Sequence, residues 1–258
     1  CARAIEDVFE RAGYPENVFQ SLLISGSEVS DVIEDDRVRA VTLTGSNRAG
    51  ESVGETAGRN LKKTVLELGG SDPLVVLDDA DVQTAAETAA HARNLNSGQS
   101  CIAAKRHVVH EDVYDDFVDA FVGAVEELNV GDPMDDETDI GPQARDDLRD
   151  ELHAQVEASV EAGATVVTGG EPLDREGYFY PPTVLIDVPD ACPASNEEIF
   201  GPVAAVFEVS DGDEAVEKAN DTQYGLGASI WTDDLERGER LTHRIDAGMT
   251  FVNEFVKS

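Results

Sequence analysis

Cys101 ends a polar, glycine-containing run, Asn96-Ser97-Gly98-Gln99-Ser100-Cys101, that leads into the apolar Ile102-Ala103-Ala104. A thiol on such a loop is a candidate nucleophile, although a single cysteine also packs as an inert small hydrophobe. Glu67 stands between Leu66 and Leu68 and is followed by Gly69-Gly70. Apolar neighbours raise a carboxyl pKa toward the range of a general base, and the glycines let backbone or ligand approach closely. Against this, Glu67 is one of 54 acidic residues. Thr44-Gly45-Ser46-Asn47 brings a glycine and a hydroxyl to a helix start, where N–H groups and the helix dipole attract phosphate. Ser and Asn there also serve as ordinary caps. Asn196-Glu197-Glu198-Ile199-Phe200-Gly201-Pro202-Val203 sets adjacent acids beside an aromatic and a rigid turn. His107 and His110 fit surface or core positions as well as a base. Spacing alone leaves every one of these readings open.

The elements that would position them alternate along the chain. Ile5, Val8, Phe9 and Ala12 mark a helix that Gly13 and Pro15 stop, and Val18 to Ile24 reads as a buried strand. Strands are expected at 38–44, 64–68, 73–77, 106–110, 164–168, 184–188, 203–209, 228–231 and 249–253. Helices are expected at 47–61, 82–92, around the stripe Val113, Phe117, Phe121 and Val125, around Leu148, Leu152, Val156 and Val160, and at 213–219 and 234–245. Strands spaced by helices imply a mostly parallel sheet with both faces covered, hence an α/β protein.

Composition narrows the function classes. The 258 residues carry 54 Asp plus Glu against 19 Lys plus Arg, a formal net charge of −35. Such a surface repels nucleic acid and anionic membranes. With 41% hydrophobic residues the chain folds, and acids spread along its whole length, with only five lysines, resemble the surface habit of proteins from concentrated salt. Cys1, Cys101 and Cys192 are too far apart for a disulfide framework or a metal site, which points to a reducing, cytoplasmic setting. The chain starts without Met and stops after the apolar run Met249 to Val256, so it reads as a segment of a longer protein.

Taken in order, Thr44-Gly45-Ser46, Leu66-Glu67-Leu68-Gly69-Gly70, Gly98-Gln99-Ser100-Cys101 and Glu197-Glu198-Ile199-Phe200-Gly201-Pro202 closely resemble the NAD(P)-dependent aldehyde dehydrogenase superfamily. Gly131-Asp132-Pro133, Phe179-Tyr180-Pro181-Pro182-Thr183 and Phe251-Val252-Asn253 extend the likeness over essentially the whole chain. The resemblance implies an α/β fold with residues 1–68 as the later part of a dinucleotide-binding domain and 69–258 as a catalytic domain cut before an oligomerisation strand. It implies Cys101 as nucleophile and Glu67 as the base for a hydrolytic water. It implies NAD or NADP held by Gly45, Ser46, Leu68, Glu198 and Phe200, no metal, and a homo-oligomer, dimer or tetramer, in the full-length form. Asn96 to Arg106, with Leu148-Arg149 and Glu151-Leu152-His153, is similar to the branch acting on succinate semialdehyde. A CoA-acylating semialdehyde dehydrogenase is a rival, which Glu67 disfavours; a non-catalytic relative is another, which the intact Cys101 and Glu67 disfavour. The family's oxyanion Asn, its cofactor-ribose Lys and its later glycine-rich segment would lie outside residues 1–258, so these residues alone are expected to be inactive.

The charge generates a test. Self-repulsion falls as the Debye length shrinks from about 10 Å at 0.1 M to about 3 Å at 1 M salt. The thermal unfolding midpoint followed by circular dichroism should therefore rise between low and molar KCl. Equal midpoints would contradict a salt-adapted surface.

Overall fold

The computed structural model describes residues 1–257. The chain divides into two compact units, Cys1–Leu68 and Gly69–Ser258.

In the first unit, α1 (Ala2–Arg11) and α2 (Val29–Glu34) precede a parallel pair, β1 (Ala40–Thr44) and β2 (Lys63–Glu67), linked by α3 (Asn47–Arg59). The register pairs Thr44 with Glu67. Ser46 caps α3 by accepting from the Ala49 N–H at 3.3 Å. Gly50 lets the helix lie against Leu68, whose methyls leave no room for a Cβ. The expected strand at 18–24 does not form. Phe19 stacks on Phe9 of α1 at 5.1 Å and Ser21 donates to the Ala2 carbonyl, leaving Leu22 and Leu23 exposed. A short apolar run becomes a strand only where a second backbone pairs with it, and here α1 supplies side chains in place of a ladder.

The second unit is built on a seven-stranded sheet. Its elements in chain order are β3 (Pro73–Val76), α4 (Val82–Asn94), β4 (Arg106–His110), α5 (Tyr114–Glu126), α6 (Asp146–Ala162), β5 (Thr165–Thr168) and β6 (Thr183–Ile186). Then come α7 (Pro193–Asn196), β7 (Val203–Val209), α8 (Gly212–Asn220), β8 (Gly227–Trp231), α9 (Leu235–Thr242) and β9 (Met249–Val252). The strand order is β5-β6-β7-β4-β3-β8-β9, parallel throughout except for the antiparallel edge pair β5 and β6. Strands β3, β4 and β8 are buried along their whole length, as a sheet covered on both faces requires. Leu74, Val76, Val109, Val206 and Trp231 pack with Phe117 and Phe121 on the α4 and α5 side. Leu185, Ala205 and Phe207 pack with Leu152 and Val156 of α6, and Val75, Val108 and Ile230 with α8 and α9. Asp81 and Asp211 cap α4 and α8, and Gly163, at φ +126°, ends α6. Helix α2 and the one-turn α7 carry no periodic apolar signal in the sequence, being too short to show one.

His107 lies fully buried on β4, 4.7 Å from the Phe121 ring. Burial, with the Arg93 charge adding to it, pushes its pKa down from 6.5 to about 3. Between those values the unfolded chain binds a proton there that the folded chain does not, so stability present above pH 6.5 is lost as pH falls. Urea unfolding of wild type and His107→Leu at pH 7 and pH 5 should show the wild type losing about 2 kcal/mol relative to the variant. Parallel pH dependence of the two would contradict it.

Candidate active site

The first unit gathers Gly45, Ser46 and Glu67 at the carboxyl ends of β1 and β2. The Gly45 N–H donates to the Glu67 carbonyl at 3.0 Å, so the start of α3 and the acid share one sheet edge. This is where open α/β sheets place ligands. A Cβ on Gly45 would meet only ordinary contacts, the nearest being Leu43 at 3.6 Å, so packing within the chain does not demand glycine there. Ser46 and Glu67 are exposed. The apolar surround expected of Glu67 is therefore not present: alternation along β2 puts Leu66 and Glu67 on opposite faces.

The second unit builds its site at the other end of its strands. Gly69-Gly70 lies just before β3, Cys101 just before β4, Glu198 and Phe200 just before β7, and Tyr224 just before β8. Because these four strands are parallel neighbours in the order β7-β4-β3-β8, the loops entering them converge on one edge. The Gly70 N–H donates to Glu198 Oε1 at 3.0 Å. A Cβ on Gly69 would lie 2.5 Å from Glu198 Oε2 and 3.1 Å from Tyr224, and one on Gly70 would strike the Cys101 carbonyl oxygen.

The turn carrying Cys101 takes an uncommon backbone. Asn96, Ser97 and Gly98 have φ of 54°, 56° and +71°, a left-handed run. It is held by side chains: Ser97 Oγ accepts from Gly141 N–H at 3.0 Å, and Gln99 Oε1 from Ala144 N–H at 2.8 Å. Cys101 itself is half-buried and unpaired with another cysteine.

Three buried cations bind the carbonyls these loops turn inward. Arg93 of α4 donates to the Ile199 carbonyl at 2.8 Å and to that of Gly201. Lys105 Nζ donates to the carbonyls of Ser100 at 3.0 Å, Cys101 at 2.9 Å and Ala103 at 3.1 Å, with Glu198 Oε1 at 3.9 Å. Arg106 donates to the Ser71, Lys218 and Ala219 carbonyls at 3.0, 2.7 and 2.8 Å. Burial lowers all three cations' pKa values, Arg93 to about 9 and Arg106 to about 10. Burial likewise raises Asp72, against the pull of Lys105; its Oδ1 accepts the Gly227 N–H at 3.1 Å.

Of the residues singled out in the sequence, Cys101, Glu198 and Phe200 lie at the second unit's site, with Phe200 37% exposed. Gly45, Ser46 and Glu67 meet at the first unit's sheet edge, while Leu68 lies half-buried with its side chain over Gly50. Arg93 and Asp72 were not singled out, and Lys105 entered only as part of the matched run 96–106. A usable signal existed for Lys105 and Arg106, two adjacent charges between the apolar Ile102-Ala103-Ala104 and the strand β4 with its central Val108-Val109. Among the described residues no cluster of His, Cys, Asp and Glu could hold a metal ion, and no helix is long and apolar enough to cross a membrane.

The aldehyde dehydrogenase family profile matches residues 1–258. An NADP-dependent succinate-semialdehyde dehydrogenase of Mycobacterium tuberculosis is 51% identical over 98% of this chain. The chain covers 55% of that relative, so it spans about half the length of the curated proteins it matches. The crystal structure of succinic semialdehyde dehydrogenase from Streptococcus pyogenes in complex with NADP+ superposes with a TM-score of 0.96 at 38% identity, covering 100% of this chain and 56% of the other. Lactaldehyde dehydrogenase from Escherichia coli gives 0.95 at 34%, covering 99% and 54%.

Gly98 generates a test of the turn. It needs a left-handed φ, and a Cβ on it would collide with the Gly201 backbone. Gly98→Ala should lower the unfolding free energy by about 2–4 kcal/mol, the sum of backbone strain and overpacking. A denaturant midpoint unchanged from wild type would show that the turn relaxes freely.

Proposed function

The chain belongs to the aldehyde dehydrogenase family, and from that premise we propose that the full-length protein oxidises succinate semialdehyde to the acid with NADP. The observation carrying this reading is the gathering of Cys101, Gly70 and Glu198 at one sheet edge, on turns whose sequences match that family. The named substrate and cofactor of the mycobacterial relative support the choice of aldehyde and of NADP over NAD. We assign residues 1–68 to the later part of a cofactor domain and 69–258 to the catalytic domain. A cytoplasmic homo-oligomer, dimer or tetramer, completes the proposal, the three unpaired cysteines fitting a reducing setting.

The residues present fit the cofactor. Gly45 is not demanded by internal packing, and Ser46 with the start of α3 offers N–H and hydroxyl groups to a phosphate. Glu198 is a carboxylate held in place by the Gly70 N–H and suited to accept from ribose hydroxyls, and Leu68 and Phe200 are assigned to the cofactor as apolar side chains. When bound, the oxidised nicotinamide supplies a two-electron hydride acceptor. Cys101 as thiolate adds to the aldehyde carbon, forming a thiohemiacetal whose C–H leaves as hydride and leaves a thioester on Sγ. Glu67 takes a proton from water, whose oxygen bonds to the acyl carbon as the C–S bond breaks; the acid departs and Cys101 is regenerated. Splitting the reaction at the thioester divides one hard step into two easier ones.

In the full-length protein, Cys101→Ser should reduce oxidation of succinate semialdehyde to background. Glu67→Gln should give a burst of one NADPH per site and then a steady rate lower by about 10²-fold or more. Retained turnover in Cys101→Ser, or an unchanged steady rate in Glu67→Gln, would reject the respective role.

A further inference from the structure

Lys105 is 1% exposed, yet it sits at the start of a buried strand in a chain with only four other lysines. Burying an ammonium is costly unless its donors are all used. Here each of its three N–H bonds ends on a carbonyl of the segment 100–103, with the Cys101 carbonyl the nearest at 2.9 Å. Gly70 closes on the same Cys101 oxygen from another direction, since any Cβ there would collide with it. Gly70 also donates to Glu198 Oε1, and that oxygen lies 3.9 Å from Lys105 Nζ. Lys105, the Cys101 carbonyl, Gly70 and Glu198 thus form a closed ring of contacts. The charged and titratable groups facing Lys105 are Arg93, Glu198, Asp72 and Cys101.

We propose that Lys105 is a positioning residue for the nucleophile: its three donations set the attitude of the turn bearing Cys101 and register that turn against Glu198. The inference rests on Cys101 being the nucleophile. A turn with three successive left-handed residues has no helix or strand ladder of its own to hold it, so its orientation depends on such outside donors. A lysine suits the task because three rotatable N–H donors on one compact head converge on carbonyls of a single four-residue segment, whereas a guanidinium spreads its donors across a rigid plane.

The test uses the full-length protein and two variants, Lys105→Met, which removes the donors, and Lys105→Gln, which keeps two without the charge. Alkylation of Cys101 by iodoacetamide is timed by mass spectrometry, alongside kcat, KM for succinate semialdehyde and the thermal midpoint. Misplacing a reacting atom by about 1 Å costs up to 10²-fold. Lys105→Met should therefore lose about tenfold or more in both kcat and alkylation rate, with KM within about threefold and Lys105→Gln falling between it and wild type. Wild-type kcat and alkylation in a folded Lys105→Met would overturn the proposal, as would Lys105→Gln no better than Lys105→Met. If Lys105→Met does not fold, Lys105→Gln decides by the same readings: a matched fall at constant KM supports the proposal and wild-type values overturn it. Alkylation needs no aldehyde turnover. A live Cys101→Ser enzyme therefore refutes the nucleophile assignment, while wild-type alkylation in the lysine variants refutes the positioning role.

Discussion

Backbone carbonyls turned inward where loops enter parallel strands need donors, and in the second unit three buried cations provide them. Arg93, Lys105 and Arg106 direct their N–H groups at carbonyls of Ile199, Gly201, Ser100, Cys101, Ala103, Ser71, Lys218 and Ala219. Left unpaired, each such carbonyl would cost roughly 1–3 kcal/mol. The same bonds fix where the turns before β3, β4 and β7 stand, so the packing solution and the shape of the site are one arrangement. Removing any one cation would strand several acceptors at once, which makes the cluster cooperative.

The charge balance of the chain sharpens this arrangement. Acids outnumber bases by 54 to 19, yet the cations that matter here are withdrawn from the surface and spent on neutral carbonyls. Full neutralisation by carboxylates would remove the donors from the backbone. Glu198 approaches Lys105 only to 3.9 Å, beyond hydrogen-bond reach, and accepts instead from the Gly70 N–H. Asp72 sits nearby with one oxygen on Gly227 N–H and the other without a hydrogen-bond partner, and its burial raises its pKa against the pull of Lys105 and of that bond.

The two units place their candidate residues at opposite ends of their strands. Gly45, Ser46 and Glu67 follow β1 and β2, at the edge where helix starts expose N–H groups. Cys101, Glu198 and Tyr224 precede β4, β7 and β8, where buried side-chain cations orient the backbone of the turns at Ile199, Gly201 and Ser100 to Ala103. A phosphate suits the first environment; a nucleophile that must be held in one attitude suits the second.

Much of this is legible in residues read one after another. Apolar stripes through Phe117, Phe121, Leu152 and Val156 locate their helices, and runs such as Val203 to Val209 locate buried strands, because periodicity is a local property. The ordered motifs around Ser46, Glu67, Cys101 and Glu198 identify the family for the same reason. What the sequence could not express is contact between distant residues. Val18 to Ile24 looks like a strand until Phe19 is seen stacked on Phe9, and Glu67 looks apolar in its surroundings until strand alternation turns it outward. Lys105 reads as one basic residue beside another; its role arises only when Gly70 and Glu198, remote in the chain, close around the carbonyl of Cys101. The sequence determined the elements and the chemistry available to them. The tertiary structure decided which groups meet, because the alignment of parallel strands sets those distances and local composition does not.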